Sequence, residues 1–194
     1  MERYEKQPKS VFKERRKYEL LDGKIYYMAG ASSNHNAIKG NIYRIFGNFL
    51  KGKKCRAFVD GEDVHFNEKD IAVPDVMIVC NRDIIKEDGI YGVPDLIVEI
   101  LSKSTAKRDI GYKKDLYGKY GVKEYWIVSQ AECSVQVYLL KDGVYVFDNI
   151  YQIYEDWVLR KMDEEEKSEI IKEFKTSLYD DLIINVEEVF ENVE

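Results

Sequence analysis

Between Val93 and Val128 the chain runs from one apolar segment to another through a basic helical stretch. The first segment is Val93-Pro94-Asp95-Leu96-Ile97-Val98-Glu99-Ile100-Leu101-Ser102 and the second is Glu124-Tyr125-Trp126-Ile127-Val128. Strand, helix, strand is the natural reading, and two charges sit where that pattern asks for hydrocarbon. Glu99 shares a strand face with Ile97 and Leu101, because alternate residues of an extended chain point the same way. Lys113 falls near the centre of the helical stripe formed by Ala106, Ile110, Leu116, Tyr117 and Tyr120 at 100° per residue. Buried charge is costly unless it is paired or used. The competing readings are an edge strand with an exposed glutamate and a lysine whose stem packs while its amine escapes to water.

The other elements follow from turn and capping signals. Tyr18-Glu19-Leu20-Leu21 and Lys24-Ile25-Tyr26-Tyr27 flank an Asp-Gly turn and predict a hairpin. Ser33 or Asn34 can cap a helix reaching about Leu50, with Ile38, Ile42, Ile45, Phe46 and Phe49 on its buried face. Short strands are expected at 56–59 and 64–66, and a proline-entered strand at 71–80. After the strand at 95–102 come a helix from about Ala106 to Tyr120 with a Gly121 stop, a strand at 124–129, a hairpin over 134–150, and a last strand at 182–186. Residues 1–17 read as a frayed start or short helix, and 154–175 as charged helix. The 194 residues suit one domain, with 155–175 a charged helical insertion before the closing strand. The element order predicts an α/β domain with a mixed β-sheet flanked by helices.

Charge is unevenly spread. The formal net charge is −6, yet residues 155–194 hold 14 acidic and 5 basic side chains, while the first 154 residues hold 25 basic and 22 acidic. Residues 39–56 carry six basic side chains and no acid. This permits a nucleic-acid partner without requiring one. Three scattered cysteines suggest neither a disulfide framework nor a zinc knuckle, and no signal peptide is visible, so a reduced, cytoplasmic chain is expected. No apolar run approaches the roughly 20 residues that span a bilayer. His35 at a helix start reads as structural, and His65 is isolated, so no zinc motif arises.

Asp75 opens the strand after Pro74, as Asp95 opens the one after Pro94. If the two strands are neighbours, Asp75 approaches Glu99, and two carboxylates at a strand end are the minimal ligand set for Mg²⁺. Asp95 lies four residues before Glu99, about 13 Å along a strand, and cannot share that ion. Glu19, mid-strand in the first hairpin, is a possible third carboxylate, although a solvent-facing role is the commoner one.

Several segments together resemble the Uma-type putative restriction endonuclease family. They are Tyr18–Gly23, the helix carrying His35, Val73-Pro74-Asp75-Val76, Pro94–Ser102, Ser104-Thr105, Arg108-Asp109, Lys113, Tyr117, Gly121–Trp126 and Asp181–Phe190. The resemblance covers about residues 18–150 and 176–190 and implies the PD-(D/E)XK nuclease superfamily. It further implies a restriction-endonuclease-like sheet flanked by helices, often as a homodimer, and Mg²⁺-dependent (or Mn²⁺-dependent) hydrolysis of DNA phosphodiesters. Asp75 and Glu99 match the two signature acids. Position 101 is leucine where the signature places its lysine, and Lys113 matches the lysine's migrated position in the following helix. Glu19 matches an early glutamate of the family. The expected site is therefore Asp75, Glu99, Lys113 and Glu19, with the Ile100 carbonyl as an added metal ligand. Lys103, Lys107, Arg108 and Lys114 are expected to contact phosphates. The rival expectation is a catalytically silent nuclease fold that binds DNA or a protein.

Overall fold

The computed structural model describes residues 17–194, so most of the expected frayed start lies outside the described residues. The opening hairpin forms from β1 (Tyr18–Leu21) and β2 (Lys24–Tyr27), in antiparallel register about the Asp22-Gly23 turn. Helix α1 (Ser33–Leu50) follows, and its cap is Ser32 rather than either expected residue, because the Ser32 hydroxyl accepts the His35 N–H. Ile38, Ile42, Phe46 and Leu50 form its buried face.

Strands β3 (Arg56–Val59), β4 (Val64–His65), β5 (Ile71–Ala72), β6 (Val76–Val79), β7 (Ile85–Lys86), β8 (Gly89–Ile90) and β9 (Leu96–Ile100) come next. The single strand expected at 71–80 is two strands in two different sheets. Val73-Pro74-Asp75 is the break, since proline cannot donate to a ladder and restricts the residue before it. The chain crosses between sheets there, and Asp75 lands at the entry to β6.

The segment 106–120 is a composite helix: α2 (Ala106–Arg108), a π-helical turn (Asp109–Lys113) and α3 (Lys114–Tyr120). Gly121 ends it at φ 92°, a left-handed conformation suited to glycine. Then come β10 (Glu124–Ser129), β11 (Ser134–Lys141) and β12 (Val144–Gln152). The segment expected to be one charged helix holds only two short ones, α4 (Asp156–Leu159) and α5 (Glu164–Ser168), before β13 (Glu173–Thr176), β14 (Tyr179–Asn185) and α6 (Val186–Val189). Phe174 and Thr176 alternate inward along β13, which is strand rather than helix periodicity.

In place of one sheet there are two six-stranded sheets and a hairpin. The larger sheet has the order β12-β11-β10-β9-β6-β3, the smaller β2-β1-β5-β4-β8-β7, and β13 pairs with β14. β9 lies in the interior of the larger sheet, parallel to β10 and antiparallel to β6. A parallel neighbour needs a long crossover, and the composite helix supplies it. All five residues of β9 are buried, so the edge-strand reading of Glu99 does not apply.

Two cores result. Val76, Ile78, Leu96, Val98, Ile100 and Trp126 join the α1 face and the β13–β14 hairpin. Met77, Val79, Ile97, Tyr125 and Ile127 join Leu116 and Tyr117 of α3, together with Leu21, Val64, Ala72 and Ile90 of the smaller sheet. Glu99 points into this second layer. No helix among the described residues is long and apolar enough to cross a membrane.

The cysteines depart from the reduced expectation. The β3–β6 register sets Arg56 opposite Val79, and the next pair outward, Cys55 and Cys80, forms a disulfide with a Cα separation of 3.9 Å. Their 25-residue spacing hides a pairing that strand register creates. Closing a loop of that length is expected to stabilise the fold by about 3 kcal/mol. Thiol labelling of unreduced, denatured protein should modify Cys133 alone, and the Cys55→Ala/Cys80→Ala variant should unfold at lower denaturant. Labelling of all three thiols would refute the bridge.

Candidate active site

Three elements meet at Lys113. Its ammonium lies 2.5 Å from Glu99 Oε1 on β9, 2.7 Å from Glu19 Oε1 on β1, and 3.9 Å from Asp109 Oδ1 one turn earlier. Lys113, Glu99, Glu19 and Asp109 are 2–4 % exposed. The snorkelling alternative for Lys113 is thereby excluded, and so is a solvent-facing Glu19. The Tyr117 hydroxyl donates to Glu99 Oε1 at 2.7 Å. Glu19 also accepts the Val73 N–H at 3.1 Å, which ties the hairpin to the break between β5 and β6.

Asp75 stands beside this cluster. Continuing the β6–β9 register by one residue from Val76–Val98 sets it opposite Glu99. Its Oδ2 accepts the Ile100 N–H at 2.8 Å, and its Oδ1 lies 2.9 Å from His35 Nε2 at the start of α1. The described contact of Ile100 is thus through its amide, whereas the expected one was through its carbonyl. Asp95 sits at the other end of β9, where it accepts the Cys80 N–H and pairs with Lys123, each at 2.8 Å. It braces the strand entry and is remote from Glu99.

The expected phosphate contacts divide. Lys103 and Lys107 are exposed. Lys114 lies over the Tyr138 ring, 4.3 Å from its centroid. Arg108 turns inward: it covers the Tyr26 ring, sits 3.9 Å from Glu19, and its buried Nε has no hydrogen-bond partner.

Three site residues escaped the sequence reading. His35, expected to be structural, meets Asp75. Asp109 takes the inward place expected of Ile110, which is 48 % exposed on the π-helical turn. Turns of this kind inside α-helices are frequent at functional sites. Tyr117, expected in the apolar stripe and among the residues of the family resemblance, adds a hydroxyl contact to Glu99. The charge-in-a-stripe criterion that found Lys113 also applies to Asp109, four residues before it.

Burial pushes the Glu99 carboxyl well above the usual carboxylate range, with Asp109, Asp75 and Glu19 adding to the effect and Lys113 opposing it. Burial raises Asp109 as well, against Lys113 and Thr105. Burial alone would lower the Lys113 pKa, but Glu99, Glu19 and Asp109 outweigh it and hold the ammonium charged. The cluster therefore gathers three carboxyl groups around one buried ammonium and a fourth, Asp75, beside Glu99, with Arg108 and His35 at its margin. Hard oxygen donors in excess of nearby cations suit a divalent ion of the Mg²⁺ class. Among the described residues, no three of His, Cys, Asp or Glu are grouped so as to hold a metal by themselves. Such an ion would draw on two carboxylates and complete its shell with other oxygens, the usual habit of Mg²⁺.

The chain shares its fold with the crystal structure of a protein described as a putative nuclease belonging to DUF820 from Anabaena variabilis. The TM-score is 0.70 at 18 % identity, over 93 % of each chain. By sequence, the chain belongs to the family Uma2, described as "Putative restriction endonuclease", whose model matches residues 1–165. Two relatives from Synechocystis sp. are described only as uncharacterised. The protein slr1290 is 32 % identical over 134 residues, covering 67 % of this chain and 70 % of its own. The protein sll1609 is 29 % identical over 126 residues, covering 63 % and 71 %.

Removing one partner of a buried ion pair strands the other, at a cost of about 3–5 kcal/mol. Losing a hydrogen bond to a charged group costs about 1.5–3 kcal/mol. Urea denaturation should accordingly rank wild type above Tyr117→Phe and Tyr117→Phe above Lys113→Met. A Lys113→Met variant as stable as wild type would contradict the buried network.

Proposed function

We propose that this chain is a Mg²⁺-dependent DNA endonuclease that hydrolyses phosphodiester bonds. The observation that carries the reading is the convergence of Asp75, Glu99 and Lys113 from three elements, in a family whose description is "Putative restriction endonuclease". Asp75 and Glu99 would hold the ion, assisted by the Ile100 carbonyl, with Mn²⁺ as a working substitute. When bound there, such an ion supplies Lewis acidity toward the phosphate and lowers the pKa of a coordinated water.

The chain's own groups do the rest. Tyr117 fixes the Glu99 carboxylate through its hydroxyl, and Ile100 fixes Asp75 through its amide. Lys113 orients the attacking water and offsets charge that develops on the phosphate. Glu19 holds the Lys113 ammonium from the hairpin side, or orients a second water. Lys103, Lys107, Arg108 and Lys114 contact backbone phosphates, which makes binding salt-sensitive. For Arg108 and Lys114 this means leaving Glu19 and Tyr138 respectively. The assembly we propose is a homodimer, which light scattering during gel filtration measures directly.

A second reading has two observations in its favour. Lys113 is already closed between Glu99 and Glu19, and Leu101 occupies the strand position of the superfamily lysine. A nuclease fold that binds without cutting would keep such a closed pair. Titration calorimetry separates the two, since a Mg²⁺ binding heat that disappears in Asp75→Asn belongs to the nuclease.

Plasmid nicking in Mg²⁺ or Mn²⁺ tests the reaction. Glu99→Gln and Asp75→Asn should each lower the rate by about 100-fold or more, given that even outer-shell partners of metal ligands are worth about 10- to 100-fold. EDTA should abolish cleavage. Equal cleavage in EDTA, or by Glu99→Gln, sinks the assignment.

A further inference from the structure

On the α1 side of Asp75 lies a second charged cluster that the site as described does not use. Asp60 and Gly61 follow β3 in left-handed conformations, with φ of 42° and 96°. The Asp60 N–H donates to the Asp75 carbonyl at 3.2 Å, so the Asp60 carboxylate is anchored to the entry of β6. Two ammonium groups close on it: Lys17 Nζ lies 3.0 Å from Oδ1 and Lys39 Nζ 3.4 Å from Oδ2. A side chain at Gly61 would meet the Lys17 ammonium at 3.2 Å, so glycine leaves that group its room.

Lys39 is the telling member. It lies on the inner face of α1, one turn after His35, whose ring touches Asp75, and it is 7 % exposed. Its one described ion pair is with Asp60, whose side chain is 51 % exposed. A half-exposed carboxylate shared with Lys17 is a weak return for burying a lysine among Ile38 and Ile42, because exposed pairs contribute only about 0–1 kcal/mol. Two ammonium groups against one carboxylate also place surplus positive charge close to the acids Asp75 and Glu99. Cations set beside a cluster of acids fit a polyanion that must approach those acids.

We propose that Lys17 and Lys39 form a binding subsite for a DNA backbone phosphate adjacent to the one presented to Asp75 and Glu99, with Asp60 occupying the two ammonium groups until the phosphate takes them. This rests on DNA being the ligand, as proposed above. The phosphate oxygens replace the Asp60 carboxylate as partners of the two ammonium groups. Asp60 thus competes with the ligand, and Lys39, fixed by its buried stem, sets the register of the strand relative to Asp75.

The test is fluorescence anisotropy with a labelled duplex in EDTA, across a salt series. Lys39→Gln and Lys17→Gln should each weaken binding about 5- to 10-fold at low salt, and each should reduce the salt slope by about one, the signature of a lost phosphate contact. Asp60→Asn should tighten binding about threefold by removing the competing charge. Circular dichroism confirms that each variant is folded, and the Lys17 variant decides the matter if Lys39→Gln does not fold. Unchanged slopes in the folded lysine variants overturn the proposal, as does weaker binding by Asp60→Asn or no duplex binding by the wild type. Binding is read in EDTA and cleavage in Mg²⁺, so the two readings fail separately. Binding with these slopes but no cutting in Mg²⁺ removes the endonuclease and leaves the subsite. Cutting with unaltered slopes does the reverse.

Discussion

The ammonium of Lys113, held between Glu19 and Glu99, is the contact on which the arrangement of this fold depends. Each partner belongs to a different layer: Glu99 to the larger sheet, Glu19 to the smaller sheet, Lys113 to the crossover helix. None of the three could be buried alone, since an isolated ion in the interior costs several kcal/mol. Together they fix how the smaller sheet lies over the larger one, a relation that apolar packing leaves loose because it has no direction. Val73 adds to this by donating its N–H to Glu19, so the crossing between sheets is tied to the same carboxylate.

This network also explains why the chain breaks where it does. Pro74 prevents a continuous ladder, and the interruption sends β5 to one sheet and β6 to the other. Asp75 therefore emerges where a strand begins, with the Ile100 amide, His35 and Glu99 around it. The Cys55–Cys80 bridge closes the opposite end of the β3–β6 pair, where Asp95 accepts the Cys80 amide. One end of β6 is thus tied covalently, and the other is left to charges.

What the sequence disclosed follows from range. Local signals were legible: the Asp-Gly hairpin, the α1 stripe, the Gly121 stop and β10. Glu99 and Lys113 were legible as charges in apolar patterns, and Asp75 by its place after Pro74 and its family match. Glu19 was weakened by its short strand, because a four-residue hairpin strand does not reveal which face is covered. The smaller sheet went unseen because several of its strands are only two residues long, too short for any period to register. The Cys55–Cys80 pairing and the His35–Asp75 contact depend on which strands and helices become neighbours, and no local pattern encodes that. The π-helical turn changed the outcome for Ile110 and Asp109, since a 100° wheel assumes a regular helix throughout.

The lysine's residence on a helix, with its acids on strands, bears on how the molecule comes into being. In an arrangement with acid and lysine two residues apart on one strand, a formed hairpin would already hold both. Here Glu99 meets Lys113 only once the crossover helix has docked on the larger sheet, and Lys113 meets Glu19 only once the hairpin has docked as well. The buried cluster is therefore complete only in the fully packed fold.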